Sequence, residues 1–242
     1  MNLPFAIMSI VGAGLFYNGL RMRLIAQKIE NTPTSKVRSI AIGLVEVMGK
    51  IKKFEQTLSA PFTSKECVYY KILIEELRSN GKSSSWVTIK EETLGTKFYI
   101  EDETGKVLVD PKEAEINLKE KMFYESGMFK QAPPSEGIKK YLSSIKFGPL
   151  NLGPSRRFKE YRLDLNSQSY VLGSAMENSK VKEASARHEE NLIIAKGKNE
   201  KTFYISEGGE KEVLSGLNIQ AWIQLVLGII LIVAGILIVL LS

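Results

Sequence analysis

Hydrophobic and polar positions follow three regimes along this chain. From Ala221 to Leu241 the residues are apolar with one polar member, Gln224. At about 1.5 Å per residue such a helix spans about 31 Å, the thickness of a bilayer's hydrocarbon. This predicts a transmembrane helix over residues 219–242, with Trp222 near the interface. Leu3 to Leu20 is apolar apart from Ser9 and Asn18 and predicts a transmembrane helix over residues 1–20. A cleaved signal peptide would carry basic residues ahead of the apolar run and a small-x-small site behind it. Here no Lys or Arg precedes the run, while Arg21 and Arg23 follow it, so an uncleaved anchor is expected.

Residues 21–32 read as a juxtamembrane stalk helix ended by Asn31-Thr32-Pro33, since proline restricts the residue before it. From 33 to 208 the dominant period is two. Strands are expected at Ile40–Ile51, from Val68 to Glu75, at Trp86–Ile89, Phe158–Leu165, Ser169–Ser174, Asn191–Lys196 and Lys201–Ser206. Phe98-Tyr-Ile and Lys106-Val-Leu-Val flank a turn and predict a hairpin, with Gly105 taking a positive φ and Pro111 closing the second strand. Ile138, Tyr141, Leu142 and Ile145 stand at helical spacing and predict one helix over Pro134–Ile145. Residues 209–218 read as a short connecting helix. Many short strands with turn signals imply a mainly β domain, an OB-like, partly closed barrel with inserted loops and one helix, flanked by two transmembrane helices.

Charge sharpens this picture. The chain has 33 Lys and Arg and 27 Asp and Glu, net +6, all of them between Arg21 and Glu212. Two spans put both termini on one side. Arg21, Arg23, Lys28, Lys36 and Arg38 flank the first span on the domain side, so the positive-inside rule predicts a cytoplasmic domain in a prokaryotic membrane. An unpaired Cys67 agrees with a reducing compartment. Gly228 and Gly235, seven residues apart, share a helix face that could pack the two spans together or form a homo-oligomer.

Candidate chemistry is sparse. With one cysteine and one histidine, the sequence holds no disulfide pair and no four-ligand zinc set. A Ser-His-Asp triad would have to use His188, which sits in a charged stretch. Cys67 begins a strand and has no adjacent base to lower its pKa. Glu101-Asp102-Glu103 is too short an oxygen cluster for a calcium loop. Tyr69, Tyr70, Trp86, Phe98 and Tyr99 could stack on single-stranded nucleic acid, but all five fall on strands, where aromatics build cores. Lys119, Lys121 and Lys130 surround Met122, Phe123, Tyr124, Met128 and Phe129; residues 119–130 would suit either contact with anionic lipid or a lid over the barrel end.

A set of motifs then recurs in order. Gly43-Leu-Val-Glu-Val-Met-Gly49, Leu58-Ser-Ala-Pro61-Phe62 and Cys67-Val-Tyr-Tyr70 resemble the opening of the GIDE, or "beside a membrane", domain of organellar outer-membrane RING ubiquitin ligases. Phe98 to Pro111, including Asp102, Gly105 and Asp110, is similar to that family's central signature. Glu160-Tyr-Arg-Leu163, Val171-Leu-Gly173 and Phe203-Tyr204-Ile-Ser206 resemble its closing motifs, and an apolar span follows, as in the family. The resemblance implies that these motif residues are structural. Family ligases carry a RING after the second span. This sequence stops at Ser242 without RING ligands, so ligase activity is not expected of the chain. The resemblance implies instead a non-enzymatic, membrane-anchored interaction module, without cofactor, that binds a protein partner or the membrane surface. A ligase component borrowing its RING from another chain is the alternative, and single-stranded nucleic-acid binding the remote one.

Overall fold

The computed structural model describes residues 3–127, 133–145, 154–178 and 191–241. His188, Met128, Phe129 and Lys130 lie outside the described residues. Two long helices bracket the chain, α1 (Leu3–Asn31) and α3 (Glu210–Leu241). The stalk is continuous with the first apolar run, and the connecting helix with the second, because no proline interrupts either after Pro4. Among the described residues, Val213–Ile238 alone is long and apolar enough to cross a membrane. The first apolar run, expected to be a second such segment, does not pass that test over its described side chains. The side chains described there run from Ile7, and Arg21 and Arg23 follow Leu20, so the described uncharged stretch is shorter than a span.

Five strands close into a barrel. β1 (Gly43–Lys53) pairs with β5 (Phe98–Glu101), β5 with β6 (Lys106–Val109), and β6 with β11 (Leu192–Ala195). β11 pairs with β10 (Gln168–Glu177), which returns to β1 over the register Gly43↔Ala175 to Lys50↔Gln168. Every contact in this ring is antiparallel except β6–β11. β12 (Tyr204–Glu207) extends the sheet antiparallel from β10, and β7 (Glu115–Asn117) runs parallel to β12 at its edge. The interior holds Val45, Val47, Ile51, Phe98, Ile100, Val107, Val171 and Ile194, all buried. Closure removes free strand edges from the ring.

The barrel is not the whole domain. A second sheet is built from β2 (Leu58–Ser59), β3 (Glu66–Ser79), β4 (Ser84–Gly95), β8 (Glu120–Ser126) and β9 (Arg156–Asp164), with β4 and β9 on opposite sides of β3 and β8 beyond β9. This corrects the expectation of a single barrel: the strands at 68–75, 86–89 and 158–165 belong to this sheet. Alternation tells which face a side chain takes, not which neighbour its strand will find. Residues 120–126, read as a loop or lid, form its edge strand β8. Helix α2 (Glu136–Ser144) covers one face, burying Ile138 and Leu142 against Phe62, Tyr70, Ile72, Ile74 and Phe158. Ser135 caps α2: its hydroxyl accepts from the N–H of Ile138 at 3.3 Å and donates to the carbonyl of Phe62 at 3.0 Å.

The stalk is part of the domain. Ala26 and Ile29 of α1 and Val213 and Leu217 of α3 bury Tyr170, Leu172 and Tyr204 on the barrel's outer wall. β10 is therefore covered on both faces, which explains its nearly continuous burial.

A candidate interaction groove between barrel and second sheet

Several of the motif residues join strands and turns within the barrel and the second sheet, and two of them, Asp110 and Pro111, line a groove between the two. Glu160 is fully buried on β9. Its carboxylate accepts from the backbone N–H groups of Phe62 at 2.7 Å and Thr63 at 3.2 Å, from the Thr63 hydroxyl, and from Arg162 at 3.0 Å. One side chain thus ties the Leu58–Phe62 motif, with Pro61 in its turn, to the Glu160–Leu163 motif. Phe62 packs edge-on against Tyr141 and Phe158. Gly173 and Phe203 form a second joint: a Cβ at 173 would lie 2.6 Å from the Phe203 ring. Gly49 brings β1 against β5, since a Cβ there would collide with the carbonyl of Glu101. Ser206 donates to the carbonyl of Asn117 at 3.2 Å and holds β12 to β7, while Tyr204 faces the stalk. Gly43 opens β1 at φ +127°, a conformation that L side chains rarely adopt.

Asp102 organises the central hairpin. It accepts from the Thr104 N–H at 2.7 Å, the Thr104 hydroxyl at 2.6 Å, the Gly105 N–H at 3.1 Å and the Val37 N–H at 3.0 Å. Burial opposes its ionisation, but the bonds from Thr104, Val37 and Gly105 together hold its pKa below the usual value. Positive φ among the described glycines occurs at Gly43, Gly81 and Gly208. Gly105 is not among them, which corrects the expected turn: the Asp102 side chain shapes it, rather than a left-handed glycine. Glu103 pairs with Lys36, so the acidic turn is spent on structure.

The groove lies where β7 and the segment before it face β3 and β4. A lobe of about 540 Å³ is lined by Phe54, Tyr69, Gly95, Lys97, Asp110 and Pro111 among others. A second of about 230 Å³ is lined by Leu73, Leu118 and Tyr161. The lobes share Tyr69 and Ile116, so they form one trough. Asp110 fixes the rim, pairing with Lys97 at 3.4 Å and accepting from the Lys112 N–H at 3.2 Å. Gly95 lets Tyr69 lie flat on the floor, since a Cβ there would sit 2.9 Å from its ring. Tyr69, Ile116 and Gly95 were not flagged by the sequence as candidate groove residues, although Tyr69 stands on the half-exposed side of the Val68–Glu75 alternation.

Cys67 is buried, and burial, then the charges of Asp164 and Glu160, push its thiol up to about 12. No group of three His, Cys, Asp or Glu side chains that could hold a metal occurs among the described residues. Three of the five aromatics considered for stacking lie in different places: Tyr70 is buried under α2, Phe98 inside the barrel, and Tyr69 in the groove.

The family model described as "GIDE: E3 Ubiquitin ligase" matches residues 70–240. No curated protein and no solved structure matches the chain. The matched region takes in β3, the central hairpin, the joints at Glu160 and Gly173, and α3, so the chain belongs to the GIDE family.

Proposed function

We propose that this chain is a non-enzymatic, membrane-anchored docking module whose groove receives an extended segment of a partner protein. The observation that carries this reading is the open edge of β7 inside the trough. Glu115 donates its N–H to the carbonyl of Phe203 at 2.8 Å, and the parallel register Glu115↔Tyr204 to Asn117↔Ser206 turns both residues toward β12. The N–H and C=O of Ile116 therefore lie on the outer side, and Ile116 lines both lobes. A peptide strand can add there, with its side chains meeting Tyr69, Leu73 and Tyr161 on the facing sheet.

The helix pair supports anchoring by both ends. Gly12 and Gly228 meet backbone to backbone, a Cβ on Gly12 falling 2.8 Å from the carbonyl of Gly228. The Asn18 amide donates to Gln224 at 2.7 Å, and Gly19 faces Ala221. Small residues and a shared hydrogen bond are what join helices in lipid. That same register sets Tyr17 and Trp222 within about one helical turn of each other, both well exposed, with Arg21 and Arg23 at and beyond the level of Trp222. This is the order of a membrane boundary. The flanking arginines favour a cytoplasmic domain in a prokaryotic membrane. The parallel β6–β11 contact between third and fifth ring strands agrees with an OB-like reading of the barrel.

Photocrosslinking tests the docking reading. A benzophenone amino acid at Lys112, on the groove rim, should capture one defined peptide sequence, while the same probe at Lys82, on the distal β3–β4 turn, should not. Equal capture at both positions refutes it. Orientation follows from single cysteines at Ser83–Ser85 on a Cys67→Ser background: protection from an impermeant maleimide until lysis supports the cytoplasmic placement, and labelling of intact cells reverses it. The second reading, a ligase component with a RING supplied by another chain, draws on the description of the matched family. It predicts that the captured sequence belongs to a zinc-binding RING protein.

A further inference from the structure

A second cleft, of about 600 Å³, opens between α1 and the barrel, on the other side of β7 from the groove. Arg21 and Lys28 enter it from the helix, Lys196 and Lys201 from the barrel loops, and Glu113, Glu115 and Glu200 complete its charges. Arg21 pairs with Glu115 at 2.6 Å, Lys28 with Glu200 at 2.7 Å, and Lys196 with Glu113 at 3.1 Å. All six side chains are at least 35% exposed, so water competes with each pair. Lys201 is exposed and has no ion-pair partner among the described residues. Four cations against three carboxylates leave one positive charge.

Depth gives this cleft its meaning. Arg21 lies four residues beyond Tyr17, about 6 Å along the helix axis, and Tyr17 with Trp222 marks the boundary argued above. The cleft therefore begins at headgroup level. Leu24, one turn beyond Arg21 toward the domain, lines the cleft and is 60% exposed. We propose that the cleft binds the phosphodiester of one anionic phospholipid, with Lys201 and Arg21 on the phosphate. A single excess positive charge suits a headgroup carrying one phosphate. The three carboxylates repel a polyphosphorylated one.

The inference rests on the membrane reading but not on the peptide groove. The test uses the full chain in nanodiscs of phosphatidylglycerol mixed with phosphatidylcholine, released for native mass spectrometry. One phosphatidylglycerol should remain per chain, and excess inorganic phosphate should not displace it. Lys201→Glu should reduce that retention by roughly fivefold or more, whereas Lys90→Glu, the same charge change on β4, should leave it unchanged. Equal losses from the two variants, or no preference over phosphatidylcholine, would overturn the site. Displacement by inorganic phosphate would make it a site for the free ion and overturn the lipid assignment. Release of the chain from membranes by alkaline carbonate would instead remove the membrane reading itself.

Discussion

The barrel and the second sheet use strands of similar composition but stay together by different means. The barrel closes on itself around Val, Ile and Phe side chains with steric joints at Gly49 against Glu101 and Gly173 against Phe203, and its one fully buried carboxylate, Glu46, lies on the outer wall bonded by Thr34 and Tyr170. The second sheet is open, needs α2 to cover one face, and carries charge inside. Glu160 and Arg162 are both buried there, and the Glu92 carboxylate accepts from Tyr70 at 2.8 Å and Tyr141 at 2.7 Å to hold α2 down. A closed ring has no edge to protect, whereas an open sheet must fix its loops by directed bonds. The groove forms where the two meet.

The largest effect that would sharpen this contrast comes from the second sheet. Glu160→Ala leaves Arg162 buried with Asp164 as its remaining carboxylate and strands the N–H groups of Phe62 and Thr63, so it should cost about 2–4 kcal/mol in denaturant unfolding. A loss below ~1 kcal/mol would mean the sheet does not depend on its charged joint. The barrel counterpart is Gly173→Ala, where the added methyl meets the Phe203 ring. About 1–3 kcal/mol is expected from overpacking, with reduced amide protection along β10 and β12 rather than in α2. Protection lost equally in α2 would make the two regions one cooperative unit.

The smallest effect concerns the stalk. Bonds from Lys28 and then Thr202 hold the Glu200 carboxyl well below the ordinary carboxylate value, at about 2. Its folded value is depressed, so its contribution is present above the ordinary range and lost as pH falls toward 2. The pair is well over one-third exposed on the Lys28 side, so Lys28→Gln should cost under ~1 kcal/mol at neutral pH. Amide exchange at Ile25–Ile29 should hold steady down to the ordinary carboxylate range and rise below it. Glu46 has the opposite sign: burial raises its pKa despite bonds from Thr34 and Tyr170, so its contribution is lost as pH rises through that raised value.

Local elements were more legible in the sequence than their partners. The hairpin Phe98–Val109 and helix α2 came directly from periods of two and 3.6. β4 extends to Gly95, beyond the predicted Ile89, because Lys90, Glu91 and Glu92 mask an edge strand with charge. β7 carries too few residues to show any period, yet it provides the groove's open backbone. Glu160 looks like an ordinary polar position in an alternating strand. Its burial follows from the Phe62 turn, nearly one hundred residues away, folding over it. Gly137 is another such case, allowing the first turn of α2 to sit on the Phe62 carbonyl.

The central claim is that the open edge of β7 receives a partner strand, and Ile116→Pro tests it most directly. Proline removes only the outward N–H, its ring is tolerated at a sheet edge, and the ladder to β12 runs through Glu115 and Asn117. A synthetic peptide of the sequence captured at Lys112 should bind this variant roughly three- to tenfold more weakly than the unmodified chain, the cost of one backbone hydrogen bond, with the fold's circular dichroism unchanged. Unaltered affinity would show that the peptide does not pair with this edge and would contradict the account.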